Sequence, residues 1–429
     1  MAATGKEQDV AACVRLPRLR ADLERLFELG KEDGRAGAWR LAFSPADVRG
    51  RSFVLELMRD AGLAPRVDAA GNLIGAHRGR RPELPSLTIG SHIDTVPGGG
   101  MFDGALGVLG GIETLRAMRG AGYEPLHTVE VIAFSNEEKA RFAGPGGSRA
   151  MVSGIGPGDL EGVRDAAGVL LTEAMSGAGL DPSEVAGARR PAGFCGGYLE
   201  LHVEQGGRMD RDGIQIGAVT AIVAITRARV VFLGKANHAG TTVMTDRRDA
   251  LWAAADLVGD VREAALAEKG ELVGTVGVLE VSPGAANVIP GRAELSIELR
   301  SADEERIRRV LDGLLARARE LATVYGLKVE AKAGAVGRSV PMDATVVAEV
   351  QAAAAGLGLR CEKLPSWAGH DASQFAPVAP AGMIFVPSIG GVSHAPGEKT
   401  SWEDAASGVK VLAVTLCRLD RLWAPADGG

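Results

Sequence analysis

Four short stretches bring histidines and carboxylates to spacings at which they could do chemistry together. "GSHIDTVPGGGMFDG" carries His92, Asp94 and Asp103. "FSNEEKARF" carries the adjacent pair Glu137 and Glu138. "LELHVEQGG" carries His202 and Gln205, and "GGVSHAPGE" carries His394. His238 in "KANHAGTT" and His370 in "WAGHDAS" sit in similar company. His92 and Asp94 are two apart on a predicted strand, so their side chains leave one face. A carboxylate there can accept one ring N–H and aim the other nitrogen at a metal. Two adjacent glutamates repel unless one meets a cation or holds a proton. One of them on a metal and the other acting as general base towards water would satisfy both.

Each residue also has an ordinary reading. Asp103 opens a predicted helix, where a carboxylate serves equally well as a cap. The Glu137–Glu138 pair suits a solvated helix start. Arg300, at a strand end, is either a surface charge or a planar fork for a carboxylate. His77 and His127 lack such surroundings and are read as structural or surface residues. A phosphate cradle in the glycine run is excluded on its details. No G-x-x-x-x-G-K-[ST] is present there, and a carboxylate at Asp103 would repel a pyrophosphate.

These residues need a scaffold that brings distant segments together. Strand signals at 86–94 and 128–135 interleave with helical periodicity at 17–30 and 104–120, which predicts an α/β domain with a mostly parallel sheet. From 218 to 333 the order changes to strand, helix, strand, strand, helix, strand, with helices over 246–268 and 302–323. That is the ferredoxin-like α+β pattern. A helix at 343–357, a strand at 382–387 and a helix at 402–422 return to the first style. The expected organisation is a catalytic domain in two parts, 1–217 and 334–429, with an inserted domain at 218–333.

The chain has 429 residues and a net charge of −6. Two domains suit that length, and an acidic balance disfavours a nucleic-acid role. The N-terminus has no signal-like apolar region, and no run is long enough to cross a membrane. Cys13, Cys195, Cys361 and Cys417 are scattered, as suits reduced thiols in a cytoplasmic protein.

Taken in order, "GSHIDTVPGGGMFDGALGVLGGIE", "SNEEKARF", "GSRAM", "LELHVEQG", "GKANHAGTT", "RRDAL", "ANVIPG", "GHDAS" and "MIFVPSIGGVSHAPGE" resemble the M20 metallopeptidase clan. They are most similar to its amidase/carbamoylase branch. The resemblance implies two divalent ions per subunit, Zn²⁺ first, with Mn²⁺, Co²⁺ or Ni²⁺ as alternatives. It implies His92 and His202 on one ion, Glu138 and His394 on the other, and Asp103 bridging them. Asp94 would orient His92, and Glu137 would be the general base. The inserted domain would be a lid and dimerisation domain. It would carry His238 to the partner subunit's active site to stabilise an oxyanion. Asn287 and Arg300 would hold a substrate carboxylate. Gln205 would contact the ureido or carboxylate group, and His370 would line the substrate side of the cleft.

The activity implied is hydrolysis of a linear C–N bond. The leading substrate is an N-carbamoyl-L-amino acid, giving the amino acid, CO2 and ammonia. Alternatives are allantoate, ureidoglycolate, β-ureidopropionate and N-acyl amino acids or dipeptides. A rival of another class is a non-catalytic metal-binding scaffold. Three positions depart from the usual motifs: Val243 after "HAGTT", Lys139 after the glutamate pair and Ser301 after Arg300. None is a predicted ligand or the predicted base.

Overall fold

The structure is a computed structural model and describes residues 5–424. The expected domain termini at 1–4 and 425–429 lie outside the described residues. Two compact units result. One runs to Thr220 and resumes at Pro341; the other is Ala221–Val340.

The larger unit is built on a mixed sheet whose four central strands are parallel: Val129–Phe134, Ser86–His92, Cys195–Val203 and Ala381–Val386, adjacent in that order. Leu73–His77 and Ile216–Ile222 flank them antiparallel. Residues on both faces of Ser86–His92 and Val129–Phe134 are buried; the second is apolar except for Glu130, whereas the first also buries Ser86, Thr88, Ser91 and His92. The helix Ala105–Gly120 follows the first of these strands and is buried on nearly every side. The helix Trp402–Leu422 packs on it. Its start is fixed by Ser401, whose side chain accepts the Asp404 N–H at 2.9 Å.

Parallel strands end together, so the loops that follow them meet at one edge. His92 is the last residue of its strand, His202 the last but one of its own, and Glu137–Glu138 come just after Phe134. Arg40 holds the first of these exits. It is 1% exposed; its guanidinium donates to the Ile93 and Leu26 carbonyls, and its main-chain N–H donates to Thr95 Oγ1.

The inserted unit has the strand order Lys328–Ala333, Ala224–Leu233, Arg292–Ser301, Val273–Ser282, all antiparallel, with two helices. That is the expected ferredoxin-like arrangement. Strand 292–301 alternates strictly between buried and half-buried residues. Helix Glu304–Val324 buries Ile307, Val310, Leu311, Leu314, Ala318 and Leu321, a single stripe at helical spacing. Asp303 caps it through the Glu305 and Arg306 N–H groups. Ser301, one of the departures, is fully buried and donates to the Glu271 carbonyl at 2.6 Å. It is part of this unit's frame.

His127 is buried and its Nδ1 lies 2.9 Å from Asp420 Oδ1. Asp420 also accepts the N–H groups of Leu126 and His127 and the Tyr123 hydroxyl, tying the last helix to the loop before strand 129–134. Burial alone would raise the Asp420 pKa, but the hydrogen bonds from His127, Leu126 and Tyr123 outweigh it and lower it. A depressed carboxylate contributes stability above its unfolded pKa, and that contribution is lost as pH falls through the folded value. Asp420→Ala should therefore destabilise the protein by about 3 kcal/mol or more at neutral pH, since several buried donors lose their acceptor. In thermal denaturation the gap between wild type and variant should narrow below the ordinary carboxylate range. Equal melting temperatures at pH 7 would contradict this role.

Candidate metal centre and cleft

The strand exits bring together five side chains from four distant segments. His92 Nδ1 contacts the Asp94 main-chain carbonyl at 3.0 Å, and His202 Nδ1 contacts the Val203 carbonyl at 2.9 Å. A carbonyl only accepts, so each Nδ1 carries the proton and each Nε2 presents a lone pair. Both lone pairs face Asp103 Oδ1, at 3.6 Å from His92 and 3.1 Å from His202. The Gly104 N–H also points at His202 Nε2, at 3.3 Å. On the other side, His394 Nε2 lies 3.3 Å from Asp103 Oδ2 and 3.5 Å from Glu138 Oε2.

These groups form two donor sets, His92–Asp103–His202 and Asp103–Glu138–His394, which share Asp103. The donors suit a divalent cation such as Zn²⁺ or Mn²⁺. The decisive observation is Asp103 Oδ1: it is buried and has no hydrogen-bond partner, while two imidazole lone pairs face it. Three electron-rich atoms converging there need positive charge between them, a proton on an imidazole or a cation. The same need shows in the proton affinities. Burial would lower the His202 pKa, but Asp103 raises it to about 9. Burial pushes Glu138 up to about 8, with help from Asp103 and Glu137.

The glycine run makes this convergence possible. Gly104 has φ +63°, and a Cβ there would fall 2.5 Å from the His92 ring. Asp103 does not cap the following helix, which has no side-chain cap. Nor do Glu137 and Glu138 start a helix; they lie in a loop, and the next helix begins at Gly147.

Asp94 is placed differently from the simple picture of an orienting carboxylate. Its Oδ1 is 3.8 Å from His92 Nδ1, beyond hydrogen-bond reach. The strand ends at His92 and the chain turns, so the main-chain carbonyl of Asp94, rather than its side chain, meets the ring. The carboxylate instead accepts the N–H groups of Glu137 and Glu138, at 3.3 and 3.2 Å. It thus anchors the glutamate pair. The two side chains then part. Glu138 faces His394, while Glu137 lines a cleft of about 430 Å³ and lies 3.7 Å from His92 Nε2.

Lys139, Ser148, His370, Asp371 and Gln374 line the same cleft. His370 is buried; its Nε2 is 2.7 Å from Ser366 Oγ, and its ring packs edge-on to His202 with centroids 4.6 Å apart. Burial, then His202, holds its pKa well below the usual value, so it is neutral. Gln205 does not face the cleft wall. Its Nε2 donates to Asp103 Oδ2 at 2.9 Å, within the cluster itself.

The remaining expected substrate residues belong to the inserted unit. His238 is exposed, and its Nδ1 accepts the N–H groups of Gly240 and Thr241. That leaves Nε2 as the ring's donor. His238 pairs with Val288, and the Ala239 N–H donates to the Asn287 carbonyl, so His238 and Asn287 are neighbours. Arg300 is engaged with Glu298, at 2.7 Å. Val243 is exposed.

Three buried acids went unread in the sequence. Glu200 hydrogen-bonds Ser91, Tyr198 and the Ala372 N–H. It is two residues before His202 on one strand, the same spacing that drew notice at His92 and Asp94, and could have been found by it. Asp371 has an unpartnered Oδ2, and Glu398 contacts the glycine run. Their signal was only their place inside motifs noticed for their histidines.

The chain is similar to known proteins along most of its length. The model of peptidase family M20/M25/M40 matches residues 88–418. The chain is 41% identical over 403 residues to an N-carbamoyl-L-amino acid amidohydrolase of Geobacillus stearothermophilus, covering 94% of this chain and 98% of the relative. It is 38% identical to a ureidoglycolate hydrolase of Arabidopsis thaliana, covering 89% and 82%. The crystal structure of an amidase of the hydantoinase/carbamoylase family from Burkholderia multivorans superposes with a TM-score of 0.88 at 31% identity, covering 94% and 98%.

Since both donor sets share Asp103, Asp103→Ala should abolish most divalent-ion binding, whereas His394→Ala should affect one set only. Metal content per chain after dialysis against Zn²⁺ or Mn²⁺, read by atomic emission, checks this. Wild-type content in Asp103→Ala would show that the ions bind elsewhere.

Proposed function

This chain belongs to peptidase family M20/M25/M40, and from that premise we propose that it is a metal-dependent amidohydrolase of linear C–N bonds other than peptide bonds. The leading substrate is an N-carbamoyl-L-amino acid. The relatives named above are the ground for the substrate class. The chemistry rests on one observation: the adjacent glutamates divide, with Glu138 on the ion cluster and Glu137 on the cleft.

Two divalent ions per subunit, Zn²⁺ first, would be held by His92, His202, Glu138 and His394 with Asp103 between them. Such ions supply a Lewis acid and lower the pKa of water near them. Glu137 takes the proton from the attacking water. Burial raises its pKa, with Asp94 and Asp103 adding to the rise against the pull of His92, which strengthens it as a base. A C–O bond forms at the carbamoyl carbon, and the bond to the amino-acid nitrogen breaks. Glu137 returns the proton to that nitrogen. The carbamic acid released then gives CO2 and ammonia. Neutral His370 lines the cleft without adding charge.

We further propose that the inserted unit acts as lid and homodimer interface. His238 of one subunit would serve the other's site, its Nε2–H directed at the developing oxyanion. Asn287 and Arg300 would take the substrate carboxylate. For Arg300 this means exchanging Glu298 for the substrate, a bidentate pairing that its fork permits. Among the described residues no helix is long and apolar enough to cross a membrane. A cytoplasmic location fits the four free cysteines.

Glu137→Gln should keep its metal and lose turnover by about 10²–10⁴-fold. Metal analysis beside an ammonia-release assay reads this, and near-normal turnover would defeat the base assignment. His238→Ala should leave metal content and subunit assembly unchanged while lowering kcat by about 10²–10³-fold. A wild-type rate would defeat its role. A screen over N-carbamoyl amino acids, allantoate, ureidoglycolate, β-ureidopropionate, N-acetyl amino acids and dipeptides fixes the substrate. Ammonia release marks the ureido compounds, and no product from any would favour a scaffold.

A further inference from the structure

The glycine run does bind an anion, but one from the chain itself. Glu398 is 3% exposed and lies almost 300 residues away in sequence. Its Oε1 accepts the Phe102 N–H at 3.2 Å and the Asp103 N–H at 3.0 Å. Its Oε2 is 3.2 Å from Ser393 Oγ, and that hydroxyl is 3.4 Å from Asp103 Oδ2. The approach is close: a Cβ on Gly100 would come within 2.4 Å of Glu398 Oε1.

We infer that Glu398 is a positioning residue for the metal centre: it grips the main chain of the 98–104 loop so that Asp103 turns its carboxylate between the two histidine sets. The inference rests on reading those sets as an ion site. Glu398 engages both of the segments that carry proposed ligands. Its two oxygens have separate tasks. One fixes the loop, and the other holds Ser393, whose hydroxyl also reaches Asp103 Oδ2. The segment carrying the proposed ligand His394 and the segment carrying Asp103 are thus joined by one side chain.

The experiment uses the full-length protein stripped with chelator and titrated with Co²⁺, whose visible absorption reports the geometry of its ligands. Glu398→Ala should bind Co²⁺ about 10–100-fold more weakly than wild type, with a changed spectrum. Glu398→Gln keeps the acceptor for both N–H groups and should recover much of the affinity and the wild-type band shape. Melting of the stripped proteins should leave Glu398→Gln close to wild type. Gly100→Ala, which displaces Glu398 without altering it, should copy Glu398→Ala, and it serves if Glu398→Ala does not fold. Wild-type Co²⁺ affinity and spectrum in Glu398→Ala or in Gly100→Ala would overturn the inference, as would equal loss in Glu398→Gln and Glu398→Ala. Failure of wild type itself to bind Co²⁺ would instead overturn the ion site on which it stands.

Discussion

A carboxylate buried as deeply as that of Asp103, with one oxygen lacking any donor, is unfavourable unless positive charge faces it. The two imidazoles that surround that oxygen are held in the tautomer that offers lone pairs rather than protons. The arrangement is therefore poor as an isolated protein interior and good as a cradle for cations. Around it lie four more acids, Asp94, Glu137, Glu138 and Glu398, all linked to it through space or through one main-chain contact. Little of this cluster makes sense as a device for stability. It makes sense as negative charge assembled in advance of a positive guest.

The fold supplies the convergence. Four parallel strands end at one edge, and each exit loop brings part of the cluster. Precision comes from main-chain contacts more than from side-chain pairs. Asp94 holds Glu137 and Glu138 by their N–H groups, Arg40 holds the Ile93 carbonyl, and Glu398 holds Phe102 and Asp103. Side chains mounted on loops become as well placed as side chains on strands when the loops are gripped in this way. The division of labour between the two adjacent glutamates follows from the same grip on their backbone.

Much of this was legible in the sequence, for physical reasons. Two of the parallel strands read from alternation in 86–92 and from β-branched residues in 129–134, and the inserted unit showed its strand–helix order through clean alternation in 292–301 and a helical stripe in 304–324. The histidines and acids stood out because polar groups at strand ends are unusual. What was not legible depended on where the backbone turns. The spacing of His92 and Asp94 suggested a ring–carboxylate bond, but the strand ends one residue too soon for it. Gln205 has a left-handed φ of +62°, and its contact with Asp103 is not visible in its spacing from His202. Arg300 meets Glu298, two positions earlier on the same strand, a pair that spacing alone could have shown. Glu398 was hidden by distance: nothing in its neighbourhood of sequence announces a contact with residue 103.

The proposed place of Asp103 between two cations is tested by anomalous scattering from crystals grown with Zn²⁺ or Mn²⁺. Two anomalous peaks are expected, one beside His92 and His202 and one beside Glu138 and His394, with an Asp103 oxygen on each. Peaks elsewhere, or an Asp103 carboxylate that touches no ion in metal-saturated crystals, would contradict it.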